Sequence, residues 1–188
     1  VTESGHCSSA MTICYGIQIC HLVHIMHSTM PTPILYLDLQ PRNLLLCENT
    51  IKLIDFDHAV YADEAEHMEE RYGTIGCAAP EQYSGDVLDG RTDIYAIGAV
   101  LHYMLTGHFP GERIRTGQAE LSGITERHLM CVIRKCLQKE KDKRFQTVAE
   151  LEQSLKELWS QSEYGVFRYG TKRMEKSLVI AVAGSRHG

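Results

Sequence analysis

Apolar residues recur along the chain with two spacings, and each spacing predicts one type of element. Four stretches repeat every three to four residues and predict helices, the first with Ser9 as its N-cap, at residues 8–27, 92–107, 124–138 and 147–159. The short apolar segments LLLC (44–47) and IKLI (51–54) are separated by ENT and predict a β-hairpin. Residues 55–80 show no sustained period, so they predict a long exposed loop.

The C-terminal residues differ from the rest of the chain. Residues 161–176 are polar and basic and contain two glycines, so they predict a linker. The segment SLVIAVAG that follows predicts a buried strand, and residues 177–188 are expected to begin a second, truncated domain. The tail LVIAVAGSRHG resembles the first strand and loop of a P-loop ATPase domain, but the Lys and Ser/Thr of that motif do not follow, and an ordinary strand and turn is an equal alternative. Because Val1 is not a Met, we expect a fragment of a longer protein.

Composition and charge narrow the functional classes. The chain has 188 residues, 44% of them hydrophobic, as in one domain with a substantial core. Its formal net charge is −5 and it has no long run of Lys or Arg, so nucleic acid is not expected as a partner. Seven cysteines without a C-x-x-C pair favour reduced thiols and a cytoplasmic location. We find no apolar run of roughly 18–20 residues that would span a bilayer.

Three polar residues flank the predicted hairpin. Asp38 and Asn43 precede it, and Asp55 follows it. Carboxylate and amide oxygens are ligands that Mg²⁺ prefers, usually alongside substrate phosphates, and a carboxylate can accept the proton of a hydroxyl nucleophile. Asp and Asn are also common in solvated turns, so these three residues alone leave that alternative open.

Five segments, in the right order and at similar spacing, resemble motifs of the protein kinase family, specifically of its C-terminal lobe. The segment YLDLQPRN (36–43) resembles the catalytic loop H-R-D-L-x-x-x-N, and LIDFD (53–57) resembles the D-F-G segment. GTIGCAAPEQY (73–83) resembles the substrate-binding segment G-T-x-x-Y-x-A-P-E. TDIYAIGAVLHYMLTGHFP (92–110) resembles the central helix, and CLQKEKDKRF (136–145) resembles the closing segment.

The resemblance implies a serine/threonine protein kinase of bacterial type that transfers the ATP γ-phosphate to a protein hydroxyl. Asp38 would orient the hydroxyl and accept its proton, and Asn43 and Asp55 would bind Mg²⁺ on the ATP phosphates. Gln40 stands where these kinases carry a Lys that steadies the transferring phosphate. An amide can donate a hydrogen bond but cannot neutralise charge, so slower chemistry is expected. Thr74 would brace the catalytic loop.

The fold that the resemblance implies is α+β, with a mainly helical C-terminal lobe at residues 1–160 and a small β-hairpin beside the active site. Glu81 and Arg144 would form a structural pair, and Asp93 would anchor the backbone of the catalytic loop. The glycine-rich loop and the lysine that cover ATP in this family have no counterpart upstream. We therefore expect the N-terminal lobe to be missing and this chain alone to be inactive.

Several positions depart from the family pattern. Tyr36 and Leu37 replace the His and Arg before the catalytic Asp, and the missing Arg normally meets a phosphate on the activation loop. Residues 58–73 also contain no Ser or Thr, so we predict activity that does not depend on phosphorylation of this loop. Asp57 replaces the Gly of the D-F-G segment, which removes easy access to positive φ and adds a carboxylate near the metal.

Two other functions stay open. A pseudokinase would keep the lobe as a binding or scaffolding module; Gln40 and Asp57 favour it, whereas the retained Asp38, Asn43 and Asp55 oppose it. A small-molecule phosphotransferase would share the catalytic Asp and Asn. It would not be expected to carry the segment GTIGCAAPE together with a matching Arg, and this chain does.

Three histidines, His21, His24 and His27, are spaced three apart on the first predicted helix. A metal site would need a closed set of ligands with suitable geometry. No Cys or carboxylate clearly joins them, so ordinary helical histidines are the favoured interpretation.

Overall fold

The computed structural model of the protein describes residues 7–65, 68, 73–110 and 124–162. The predicted start of a second domain (177–188) lies outside these ranges, as does the predicted linker (161–176) beyond its first two residues. Within the described ranges the helices are α1 (Ser9–His27), α2 (Ala62–Ala65), α3 (Glu81–Ser84), α4 (Gly90–Thr106), α5 (Ile124–Cys136) and α6 (Val148–Gln161). The strands are β1 (Ile34–Leu35), β2 (Leu44–Cys47), β3 (Thr50–Leu53) and β4 (Val60–Tyr61), and 3₁₀ turns lie at Pro41–Asn43 and Lys141–Lys143.

The N-cap of α1 is Ser8, and not Ser9 as predicted. The Ser8 Oγ accepts a hydrogen bond from the backbone N of Met11 at 3.3 Å. Ser9 is the first helical residue, and its hydroxyl donates to Glu126 of α5 at 2.8 Å. Two adjacent serines both satisfy the local capping rule, so a contact far along the chain decides which one caps.

Helix α1 is long and apolar enough to cross a membrane, by length and composition alone, which the sequence analysis did not anticipate. Half of its most apolar window is buried within the protein. Ile13, Ile19 and Val23 are fully buried and belong to the main core. A core helix passes the same test of length and composition, and the packing of α1 accounts for its apolar character.

Helix α4 is buried along most of its length, as its nearly continuous apolar sequence predicted. Asp89 caps its N-terminus in a capping box with Thr92, and Gly107 ends it in a left-handed conformation (φ 76°). Helices α1, α5 and α6 pack with it around one core. Its fully buried members include Ile13, Ile97, Leu101, Ile133 and Leu155.

Strands β2 and β3 form the predicted antiparallel hairpin, with Leu44 opposite Leu53 and Cys47 opposite Thr50. Strands β1 and β4 form a separate antiparallel pair. The prediction of an exposed loop through residues 55–80 is therefore wrong in part, because β4 and α2 lie within it. A two-residue strand whose partner precedes the hairpin is too short to leave a periodic signal.

A second, smaller apolar cluster lies where β1, α2 and the segment before α4 meet. Packing here, and not a local pattern, buries part of the predicted loop. We call it the Leu37 cluster; its buried members are Leu35, Leu37, Ala65 and Leu88, and Val60, Ala62 and Met68 pack against them.

Candidate active site

Residues 36–43 form a tight loop between β1 and β2, and their polar side chains converge on one carboxylate. Pro41 begins a 3₁₀ turn in which the backbone N of Asn43 donates to the Gln40 carbonyl at 3.0 Å. Proline suits the first position of such a turn because its φ is already fixed and no N–H is needed there. The turn brings the side chains of Gln40 and Asn43 back to Asp38.

The Asp38 carboxylate accepts four hydrogen bonds. Gln40 Nε2 donates to both carboxylate oxygens, at 2.8 Å each. Asn43 Nδ2 donates to Oδ2 at 2.9 Å, and the Thr74 hydroxyl donates to Oδ1 at 2.8 Å. Because a carboxylate offers about four lone-pair positions, these donors occupy its acceptor positions. The side chain is thereby fixed in orientation at the edge of solvent, with Asp38 9% exposed.

Asp93 of α4 holds the backbone beside Asp38. Its fully buried carboxylate accepts hydrogen bonds from the backbone N of Tyr36 at 2.9 Å and of Leu37 at 2.8 Å. The His27 Nε2 lies 2.8 Å from the same carboxylate. These contacts support the left-handed backbone of Leu37 (φ 63°), a conformation that costs a non-glycine residue roughly 1–2 kcal/mol. Helix α4 thus positions the loop of residues 36–43 from the core side.

Tyr36 links the loop that carries Asp38 to the loop that carries Asp55. The Tyr36 hydroxyl donates to the backbone carbonyls of Ile54 at 2.5 Å and Asp55 at 3.1 Å. Its ring meets that of Phe56 edge-on, with the centroids 5.4 Å apart. Burial raises the pKa of Tyr36, and the nearby charges of Asp38 and Asp55 raise it further, so the hydroxyl remains a donor. The sequence analysis missed this bridge, because it considered Tyr36 only as a replacement for the His of the family pattern.

Asn43 and Asp55 supply oxygen atoms that fit Mg²⁺. The amide nitrogen of Asn43 donates to the backbone O and Oδ2 of Asp38, and the Asn43 side chain also meets the Tyr36 hydroxyl. The amide oxygen is therefore the atom suited to a metal. Asp55 is exposed and has a left-handed backbone (φ 65°). One carboxylate and one amide fit a cation that takes its other ligands from water and phosphates.

The structure joins Asp38, Gln40, Asn43 and Thr74 by direct hydrogen bonds, and we call these four residues the Asp38 cluster. The backbone on each side of the Asp55 loop is tied to this part of the site, by Tyr36 and by the Ile54 N, which donates to the Asn43 carbonyl at 3.0 Å. Among the hydrogen bonds described, none connects the Asp55 carboxylate to the other four residues. The positive φ of this loop falls at Asp55 and not at Asp57, although Asp57 occupies the glycine position of the family pattern.

A turn presents Thr74 to the cluster, and α3 connects that turn to the loop of residues 36–43. The backbone N atoms of Cys77 and Ala78 both donate to the Thr74 carbonyl at 2.9 Å. Gln82 of α3 donates through Nε2 to the Leu37 carbonyl at 3.0 Å. Gln82 was also missed by the sequence analysis, because its partner lies 45 positions earlier and leaves no local pattern.

Cys77 is buried and lies close enough to Asp38 to feel the charge of its carboxylate. Burial raises its pKa to about 12, and the charge of Asp38 contributes in the same direction. The nucleophile of a cysteine is the thiolate, so this protonated thiol is a packing group.

Glu81 and Arg144 form the expected pair. Arg144 Nη1 and Nη2 donate to the two Glu81 oxygens at 2.6 and 2.8 Å, and Arg144 is only 2% exposed. The guanidinium also donates to the backbone carbonyls of Arg91, Gln138 and Lys139. Such complete pairing is what allows a buried charge, because an unpaired one would be costly. The pair connects α3 to the segment between α5 and α6.

Leu37 occupies the position of the missing Arg, and its side chain is 5% exposed in the Leu37 cluster. Ala65 and Met68, which belong to the acidic segment after β4, pack in the same cluster. Leu37 therefore holds the segment after β4 by apolar packing. An arginine at this position would instead need an anion, such as a phosphate, as its partner.

The three histidines of α1 do not converge. His27 bonds to Asp93 at 2.8 Å, and the side chain of His21 is 57% exposed and lies 4.0 Å from Glu152. Among the residues that the structure describes, no group of three or more His, Cys, Asp or Glu side chains is arranged to hold a metal.

Comparison with known proteins places this geometry in context. The sequence model described as "Protein kinase domain" matches residues 1–163. The chain is 34% identical over 108 residues to "Serine/threonine-protein kinase A" of Synechocystis sp., covering 54% of the chain and 20% of that protein. It is 28% identical over 209 aligned positions to "Serine/threonine-protein kinase PknB" of Mycobacterium tuberculosis, covering 97% of the chain and 32% of that protein. The chain thus spans a third or less of the length of these relatives.

Proposed function

The chain belongs to the protein kinase family, and from this premise we propose that it is the C-terminal lobe of a serine/threonine protein kinase. The complete protein would transfer the γ-phosphate of ATP to a protein hydroxyl with Mg²⁺, in the cytoplasm. The observation that carries this proposal is the Asp38 cluster, in which one carboxylate is oriented by Gln40, Asn43 and Thr74. The names of both relatives support serine/threonine specificity.

Each residue of the site has a role in this reaction. Bound Mg²⁺–ATP would supply the phosphoryl group and the positive charge that stabilises its transfer. Asn43 and Asp55 would hold the metal through an amide and a carboxylate oxygen. Asp38 would orient the attacking hydroxyl and accept its proton, while Thr74 keeps Oδ1 in place.

Gln40 distinguishes this site from one with a lysine. Its amide provides two of the four hydrogen bonds to Asp38 and carries no charge. A substrate hydroxyl needs an acceptor position, so one donor has to leave Asp38 first. Release of Gln40 would open positions on both oxygens and leave the bonds from Asn43 and Thr74 intact. We expect Gln40 to be that donor, and transfer to be slower than with a lysine.

The test is phosphoryl transfer from γ-labelled ATP by the complete protein. Asp38→Asn should reduce transfer by at least about 100-fold, since general-base catalysis contributes on that order. Chelation of Mg²⁺ should abolish transfer. Asp63→Asn is the matched control, because Asp63 is an exposed Asp of α2 outside the site, and it should transfer like the wild type.

The same experiment examines the second candidate, a pseudokinase, which the neutral Gln40 and the additional Asp57 favour. A folded complete protein that binds nucleotide but transfers no label would refute the kinase proposal and support this alternative. The 188-residue chain alone is expected to transfer nothing, because we propose that the residues covering ATP come from another part of the protein.

A further inference from the structure

Hydrogen bonds to the backbone of Gly107 and His108 hold the turn that follows α4. The His102 Nδ1 donates to the His108 carbonyl at 2.8 Å, and the backbone N of His108 donates to Thr106 Oγ1 at 3.2 Å. Gly107, in a left-handed conformation, donates to the Tyr103 carbonyl at 2.7 Å. These bonds fix the direction in which the next residue, Phe109, leaves the helix.

Phe109 packs between an aromatic ring and a glycine. Its ring stacks on Tyr103 of α4, with the centroids 4.6 Å apart and the planes 25° apart. A β-carbon placed on Gly76 would lie 2.8 Å from the Cβ and 2.8 Å from the Cγ of Phe109. Gly76 also has a φ of +90°, so both its backbone and the space beside it require glycine. The missing side chain at Gly76 is what admits Phe109.

Gly76 lies inside the turn that presents Thr74. The backbone N atoms of Cys77 and Ala78, on its C-terminal side, bond to the Thr74 carbonyl, and the Thr74 hydroxyl bonds to Asp38. The packing of Phe109 on Gly76 therefore involves the same turn that holds the Asp38 carboxylate. Phe109 is not a member of either apolar cluster, and Tyr103 is 36% exposed. In the part of the chain that the structure describes, the contact therefore lies outside the main core and the Leu37 cluster.

We propose that Phe109 is a positioning residue for the Asp38 site, whose ring supports the turn at Gly76 and so keeps the Thr74 hydroxyl on the Asp38 carboxylate. The effect on catalysis rests on the proposed kinase function; the effect on the turn does not. Two measurements separate these parts.

The first measurement is amide hydrogen exchange in the full chain. Phe109→Ala should speed the exchange of the Cys77 and Ala78 amides by roughly tenfold or more, because their bonds to Thr74 then open locally. Trp159→Ala is the matched control, since it removes an aromatic ring from α6 and should leave these two amides unchanged relative to the other amides. Equal exchange of both amides in Phe109→Ala and the wild type would overturn the proposal.

The second measurement is a double-mutant cycle on phosphoryl transfer by the complete protein. Phe109→Ala and Thr74→Ala should each lower kcat by about tenfold or more with the KM for ATP unchanged, since a slight misplacement of catalytic groups has effects of this size. The double variant should equal Thr74→Ala alone, because Phe109 acts through Thr74. Losses that multiply would contradict that route. A wild type without transfer would refute the kinase function, and the exchange result would still decide whether Phe109 supports the turn.

Discussion

Leu37 and Asp38 are adjacent in the chain, yet they hold the following segment by opposite means. Asp38 accepts a hydrogen bond from Thr74 within a cluster of polar side chains. Leu37 contacts residues near Ala65 within an apolar cluster. The left-handed backbone at Leu37 sends the two side chains into these different surroundings.

The two clusters contribute different things. A net hydrogen bond contributes only about 0.5–1.5 kcal/mol to stability, but its direction is specific, so the Asp38 cluster chiefly orients a reactive group. Burial of a leucine contributes about 1.5–3 kcal/mol without directional preference, so the Leu37 cluster chiefly retains the segment. In the family pattern, an arginine that binds a phosphate on the activation loop would both orient and retain that loop. In this chain the two tasks are divided between the neighbouring residues Asp38 and Leu37.

The largest expected effect on stability comes from the apolar side of the comparison. Leu37→Ala should lower the free energy of unfolding by about 2–5 kcal/mol, because it leaves a cavity among buried neighbours. Leu46→Ala is the control, since Leu46 is 49% exposed and should change stability little. Urea unfolding of the two variants measures both values. Similar losses in both would mean that the Leu37 cluster does not retain the segment.

The polar side should respond in rate. Gln40→Lys should raise kcat, by roughly tenfold or less, because a charged donor stabilises the transferring phosphate better than an amide. Gln40→Leu should lower kcat, since leucine has no N–H that could donate to the transferring phosphate. Initial rates at saturating ATP test the order Lys, Gln, Leu. A Lys variant slower than the wild type would show that the neutral amide is required.

The N-cap of α4, Asp89, should make a smaller contribution to stability, and this contribution should depend on pH. Burial alone would raise the pKa of Asp89, but hydrogen bonds from Arg91 and Lys141 outweigh it and lower that pKa from 3.8 to about 2. A carboxylate with a lowered folded pKa stabilises the protein above its unfolded pKa, and this contribution is lost as the pH falls from about 4 to 2. Asp89→Ser keeps a capping hydroxyl without the charge.

Thermal unfolding of the wild type and Asp89→Ser, followed by circular dichroism from pH 7 to pH 2, tests this expectation. The variant should be less stable at pH 7, and the difference should shrink below pH 4. A difference that stays constant across this range would show that the Asp89 charge does not stabilise α4.

Removal of phosphate groups is the one treatment for which we expect no effect. Phosphatase treatment should leave the activity of the complete protein unchanged, because Leu37 offers a phosphate no positive charge and the segment is retained by packing. Transfer rates before and after treatment provide the measurement. Loss of activity would mean that retention by the Leu37 cluster is insufficient.

Much of the fold was predictable because its signals are local. The spacing of apolar residues predicted α1, α4, α5, α6 and the hairpin to within a few residues. The convergence of Asn43 on Asp38 was also predictable, since a proline turn separates them by only five positions. The contact of Thr74 with Asp38 followed only from the family resemblance, because 36 positions separate the two residues.

The sequence by itself determined the four long helices and the β2–β3 hairpin, and which residue types are available for chemistry, because short-range sterics and periodicity act within a few residues. Tertiary structure alone decided that Gln82 bonds to the Leu37 carbonyl, that Tyr36 bridges to the Asp55 loop, and that Leu37 lies in an apolar cluster. The physical reason is that each of these outcomes depends on the partners that a side chain meets, and distant segments bring those partners together only when the core forms.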